Sequence, residues 1–139
     1  MIELLTQMSE APYRFTVEPR ILTEEEILGI SDPSEKRFAL IAHRAGMEVR
    51  DGGMITLSGK KINKQDKRST NPDFLVNGVF IEITEGENLG SRKARQKSVM
   101  TQTGLPYLQL TGSQITELSQ KKDLQEALNE LLKHDNLEA

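Results

Sequence analysis

Asp73 and Glu82 flank an Asn-Gly pair in the stretch NPDFLVNGVFIEITEG, Asn71 to Gly86. Asn-Gly between two β-rich runs is the strongest short hairpin signal a sequence carries. Folding about residues 77–78 brings both acids to the same open end of the hairpin. Two carboxylates converging there repel each other unless a divalent cation sits between them. Magnesium, or manganese, suits such an all-oxygen set and keeps waters for chemistry. Glu82 also interrupts an apolar run, VFIEIT, which reads as a central strand buried on both faces. A charge there is costly unless a cation or a donor meets it. The plain alternative is that Asp73 merely starts a strand after Pro72, and that Arg92 or Lys93 pairs with Glu82.

The elements that must position these acids are legible in outline. Thr23 and three glutamates open a short helix that ends near Gly29. Residues 34–45 form a longer one, capped by Asp32 or Ser34, with Phe38, Ile41, Ala42 and Ala45 on one face. Glu35 lies in its first turn. Met47 to Arg50 reads as a strand, Asp51-Gly52-Gly53 as a tight turn, and Met54 to Leu57 as the returning strand. Residues 58–71 are polar and basic without a period, and read as a loop. After the Asn-Gly hairpin come a helix over 87–103, a short strand over 105–110, and one final helix from Ser113 to Lys133. The alternation of Tyr13, Phe15 and Val17 allows one more short strand. The expected architecture is α/β: a mixed central sheet, its first three strands an antiparallel meander and its last strand parallel after a helical crossover, flanked by helices.

The net charge of −3 conceals an uneven distribution. Residues 1–35 carry two basic against eight acidic residues, residues 36–100 thirteen against seven, and residues 101–139 three against six. The segment holding Asp73 and Glu82 is therefore the basic one, as a local phosphate-binding surface requires. Its cations are Lys60, Lys61, Lys64, Lys67 and Arg68 in the loop, and Arg92, Lys93, Arg95 and Lys97 on the following helix. Each run taken alone also fits a solvated face.

With the elements in this order, the sequence resembles the PD-(D/E)xK nuclease superfamily, which includes restriction endonucleases, Holliday junction resolvases and transposon end-cleaving subunits. Pro72-Asp73 matches P-D, and Glu82-Ile83-Thr84 matches E-x-K with threonine in place of lysine. Glu35 matches an acid on the first helix of resolvase-like members. The resemblance spans residues 34–112 and implies a restriction endonuclease-like αβββαβ core. It implies that Asp73, Glu82 and the Ile83 carbonyl bind magnesium or manganese, and that Glu35 reaches the ion or its water. It further implies a metal-dependent endonuclease acting on DNA phosphodiesters, with RNA left open, commonly as a homodimer or within a larger DNA-processing complex. Thr84 carries no charge and can only position a water or give one hydrogen bond. The missing cation is then expected from Lys93 or Lys97, with Gln96 also facing the site. The alternative is a nuclease-fold module without catalysis that binds nucleic acid or serves as a subunit.

Several classes are excluded or disfavoured. No cysteine is present, which removes thiol nucleophiles, zinc fingers and disulfide scaffolds. No P-loop, Rossmann glycine pattern or hydrolase triad is found. No apolar run approaches a membrane span, and no basic leader opens the chain, so a cytoplasmic protein without membrane contact is expected. Hydrophobic residues make up 36% and aromatics 4%, so the core must rest on Leu, Ile and Val. The expected division is an acidic N-terminal extension over 1–33, a nuclease-like domain over 34–133, and a frayed tail over 134–139.

Overall fold

The computed structural model describes residues 12–58, 68–84 and 90–138, and for 90–93 and 134–138 the backbone alone. In chain order the elements are β1 (Tyr13–Val17), α1 (Glu24–Leu28), α2 (Pro33–Arg44), β2 (Val49–Asp51), β3 (Met54–Leu57), β4 (Ser69–Thr70), β5 (Phe74–Val76), β6 (Val79–Ile83), α3 (Gly90–Thr103), β7 (Tyr107–Leu110), α4 (Gly112–Ser119) and α5 (Leu124–Glu138). The class is mixed α/β. One sheet has the order β2-β5-β6-β7, the other β1-β3-β4. β5 is antiparallel to β2 and β6, whereas β7 runs parallel to β6 after the α3 crossover.

Two sheets replace the expected meander. The turn at Gly52-Gly53 does not fold β3 back on β2; it passes the chain from one sheet to the other. β2 pairs with β5, and β3 with β1 and β4. Backbone crowding explains the glycines. A Cβ at Gly52 would lie 1.9 Å from the Pro72 carbonyl oxygen, and one at Gly53 2.4 Å from that of Val17. Gly53 also adopts φ +62°, and its N–H donates to Asp51 Oδ1 at 3.0 Å. The pair thus lets three backbone segments meet, a role of glycine distinct from turn-making.

The Asn77-Gly78 turn is as expected, with φ values of +47° and +83°, both positive as a type I′ hairpin turn demands. β6 is buried along its whole length between β5 and β7. Val79, Ile81 and Ile83 point into the larger core, with Ile27 of α1, Phe38, Ala39 and Ala42 of α2, Ile115 and Leu118 of α4, and Leu124 and Leu128 of α5. Phe80 points the other way, into a smaller core with Ile55, Met100 and Tyr107. The main sheet therefore lies between a helical layer on one face and α3 with the second sheet on the other.

The acidic N-terminal segment contributes to both sides. β1 pairs with β3, and Ile27 is fully buried. Thr23 caps α1 in a reciprocal box with Glu26. Asp32 caps α2 through the N–H groups of Ser34 and Glu35 at 3.0 and 2.9 Å. On α2, Ile41 is only half-buried and Ala45 exposed, so the apolar stripe is Phe38, Ala39 and Ala42.

The single C-terminal helix expected from the leucine pattern is two helices. Thr111, rather than Ser113, caps α4 in a box with Gln114, and Asp123 accepts the Glu126 N–H at 3.0 Å at the start of α5. The polar residues 120–123 offer the backbone side-chain partners that compete with helix continuation. The α5 backbone stays helical to Glu138, through the residues read as a tail. Residues 69–70, read as loop, form β4 beside β3. No helix among the described residues is long and apolar enough to cross a membrane.

Candidate functional site

The hairpin register pairs Phe74 with Ile81 and Leu75 with Phe80. Continued by one rung, it sets Asp73 opposite Glu82. The side chains interlock with the backbone there. The Asp73 N–H donates to Glu82 Oε2 at 3.1 Å, and the Ile83 N–H donates to Asp73 Oδ2 at 2.8 Å. Glu82 is only 3% exposed. It shares a strand face with Phe80, because side chains two apart point the same way, and that face packs against α3 through Met100.

Glu35 comes to the same place from the first turn of α2. Its carboxyl is pushed up to about 7, first by burial, then by the charges of Asp73 and Asp32, by a hydrogen bond with the Asp73 carboxyl, and by the Glu82 charge. Glu35 therefore keeps its proton through the weakly acidic range and gives it up near neutrality. Three acids from α2 and the β5–β6 hairpin thus meet at one end of the main sheet. Their donors are hard carboxylate oxygens, which suit magnesium or manganese far better than a thiophilic metal. In the present arrangement these side chains serve the backbone and one another. Among the described residues no three His, Cys, Asp or Glu side chains form a ready cation cage.

Thr84 is held at the end of β6. Its N–H and its hydroxyl both donate to the Leu110 carbonyl, at 2.7 and 3.2 Å. The hydroxyl proton therefore ties β6 to β7, and only the oxygen lone pairs remain to position a water.

The expected basic residues fall into three groups. Lys60, Lys61, Lys64 and Lys67 lie outside the described residues. Arg92 and Lys93 are in the first turn of α3, one turn before Gln96 and Lys97, and their side chains lie outside the description as well. Arg95 and Lys97 are exposed on α3, and Gln96 is half-buried. Gln96 and Arg95 line a cleft with Thr70 and Asn71, the residues just before Pro72-Asp73. Arg68 is occupied structurally, its guanidinium donating to the Ser58 carbonyl. His43 is half-buried on α2, and Tyr107 is a core residue whose hydroxyl accepts from Gln109 Nε2 at 3.0 Å.

Sequence reasoning missed the cleft residues Thr70 and Asn71 because they end a stretch with no period. The signal that was available is their place immediately before Pro72-Asp73. It also missed that Gly52 packs on Pro72; two adjacent glycines beside a strand signal close backbone approach as readily as a turn.

With this geometry in view, the chain is a mixed α/β protein with an acidic cluster at one sheet end. No protein-family model, curated protein or solved structure matches it.

Proposed function

We propose that the protein is a metal-dependent endonuclease of the PD-(D/E)xK type, with a restriction endonuclease-like core, that hydrolyses DNA phosphodiester bonds. The observation that carries this reading is the meeting of Glu35, Asp73 and Glu82, with Glu82 buried in a central strand and Glu35 retaining a proton up to about pH 7. Acids forced together in a low-dielectric setting raise the free energy of the folded chain, and such crowding is characteristic of functional sites. Loss of the Glu35 proton leaves a three-carboxylate set that, with the Ile83 carbonyl, would hold magnesium or manganese. Such an ion, when bound, would activate a water and offset charge on the scissile phosphate. The residues themselves do the positioning. The Asp73 N–H fixes the Glu82 carboxylate and the Ile83 N–H fixes that of Asp73, and the cations of α3 would meet the phosphate. Attack on phosphorus would release a sugar 3′ oxygen. The proposed setting is cytoplasmic, with a homodimer or a larger DNA-processing complex as the working form.

A second reading is favoured by one observation. The Thr84 hydroxyl proton is committed to Leu110, so the position that supplies the cation in the family pattern here serves the sheet. That suits a nuclease-fold module that binds nucleic acid without cutting it. The two part in one assay. Purified protein and Asp73→Ala are incubated with magnesium or manganese and supercoiled plasmid, linear duplex, four-way junction, single-stranded DNA and RNA. Cutting that needs the metal and vanishes in Asp73→Ala is the expected result. Binding without cutting by the wild type selects the second reading.

A further inference from the structure

The cleft between α3 and β4 contains polar groups that the three-carboxylate site does not use. It measures about 380 Å³, within the range of small-ligand pockets. Its apolar walls are Met54 and Val99, its cation is Arg95, and Thr70, Asn71 and Gln96 supply hydrogen-bonding groups. Thr70 is 6% exposed. Its hydroxyl oxygen and the Gln96 amide oxygen are both buried with no hydrogen-bond partner. Folded proteins rarely leave such atoms unpaired, so a water, an ion or a ligand group is called for here.

The chemistry narrows the ligand. The Gln96 amide oxygen only accepts, so the ligand must donate an N–H or O–H. The Thr70 hydroxyl can donate or accept. Arg95 at the mouth asks for an anion, and Met54 and Val99 ask for a flat or apolar body. Inorganic phosphate at neutral pH meets the arginine and, through its O–H groups and oxygens, the two polar side chains, but it offers nothing to the apolar walls. An apolar peptide offers no anion. A nucleotide supplies all three: a phosphate, a base face, and ring or exocyclic N–H donors.

Placement fits as well. Asn71 is two residues before Asp73, so their Cα atoms are at most about 7.6 Å apart. The Asn71 side chain donates to the Gly53 carbonyl, which ties this wall to the same glycine pair that packs on Pro72. We propose that the α3–β4 cleft is a subsite for the nucleotide adjoining the scissile phosphate, with the base against Met54 and Val99, its donor on Gln96 and Thr70, and a phosphate on Arg95. This deepens the nuclease reading and rests on it for the word scissile, but the nucleotide site itself does not need cutting. Both buried oxygens are shut from solvent in the free chain, so entry requires Gln96 to turn outward, a rotation open to a long half-buried side chain.

The test is a titration of the ¹⁵N-labelled full chain, without divalent metal, using a short single-stranded deoxyoligonucleotide, with inorganic phosphate as the control. Backbone amides of Thr70, Asn71, Arg95 and Gln96 are expected to shift together with those of Met54 and Val99 and saturate with the oligonucleotide, while phosphate leaves Met54 and Val99 unmoved. Thr70→Val and Gln96→Met are each expected to weaken binding about tenfold, the cost of one buried hydrogen bond. Thr70→Val should leave the melting temperature unchanged or higher, because it removes an unpaired hydroxyl; a purely structural threonine would not combine that with weaker binding. Saturable shifts elsewhere, no shifts at millimolar oligonucleotide, or both variants binding within twofold of wild type would each overturn the subsite. If the cleft binds but the metal-dependent assay shows no cutting, the subsite stands and the nuclease reading fails. If cutting depends on Asp73 while the cleft stays silent, the nuclease stands and the subsite fails.

Discussion

The carboxylate of Glu82 accepts the backbone N–H of Asp73 at 3.1 Å, so one acid of the pair fixes the main chain that carries the other. Removing the charge while keeping that acceptor separates stability from function. In Glu82→Gln the amide oxygen can still take the Asp73 N–H, and one negative charge leaves a cluster of three. Metal-free Glu82→Gln is expected to be more stable than wild type by roughly 1 kcal/mol, about 3 °C in melting temperature, and to lose metal-dependent cutting. Glu82→Ala, which strands a buried N–H and opens a cavity, should instead be destabilised by about 2–4 kcal/mol. Thermal unfolding in chelator reads both. Equal destabilisation of the two variants would show that the charge is not what strains the site.

Glu35 makes stability depend on pH. Its folded-state pKa is raised to about 7 from a normal 4.5, so between these values the folded chain holds a proton that the unfolded chain has released. Its contribution is fully present below about pH 4.5 and is lost as pH rises through about 7. In chelator, wild-type stability should fall between pH 5 and 8, and Glu35→Gln should flatten that slope. Magnesium at pH 8 should restore part of the lost stability to wild type by binding the folded form, and less of it to Glu35→Gln. Identical pH profiles for the two proteins would place Glu35 outside the cluster.

Gly52 supports Asp73 from outside the acidic site. With a Cβ 1.9 Å from the Pro72 carbonyl oxygen, Gly52→Ala must displace residue 72 and, through it, Asp73. The expected loss is about 3 kcal/mol, measured by urea unfolding. Gly46→Ala is the control, because a Cβ there has nothing within 4 Å; it shares a positive φ with Gly53 but no crowding, and its cost should stay near about 1 kcal/mol. A Gly52→Ala protein as stable as wild type would mean that residues 71–73 can shift freely.

The parts of the fold that were legible in the sequence are those ruled by local chemistry. Asn77-Gly78 could only be a tight hairpin turn, and its position alone set Asp73 opposite Glu82. Thr23 announced the start of α1, and Asp32 or Ser34 that of α2, because capping is decided within three or four residues. What stayed hidden depends on distant partners. Asp51-Gly52-Gly53 has the same composition whether the chain folds back or changes sheet, and only the approach of Val17 and Pro72 decides between them. The break between α4 and α5 shows only as a step of six residues from Leu118 to Leu124, off the helical spacing of three or four, while Asp123 restarts the helix. The convergence of Glu35 with the hairpin acids follows from how α2 packs on β5, with Phe38 against Phe74 at 5.9 Å; no local pattern encodes that contact.

Thr84 and the α3 lysines divide the last question, the source of positive charge at the cutting site. Because the Thr84 hydroxyl proton is donated to Leu110, Thr84→Val should cost about 0.5–1.5 kcal/mol of stability and leave cutting within about threefold of wild type. If the protein is the proposed nuclease, α3 is the expected source of the cation: position 93 stands one turn before position 97 and two turns before Met100, the residue that packs α3 on Phe80 of the Glu82 face. The double variant Lys93→Ala/Lys97→Ala, its folding checked by circular dichroism and melting temperature, should lose about 100-fold or more in cutting rate, the usual cost of removing a charge from the transition state. Restoring each lysine singly identifies which amine acts. Lysine at position 84 in the double variant offers the decisive complement, because it re-creates the family pattern at the strand end: recovery of cutting means that the role had moved to α3. A double variant that cuts at the wild-type rate would place the cation elsewhere, in the 59–67 segment or on a partner chain.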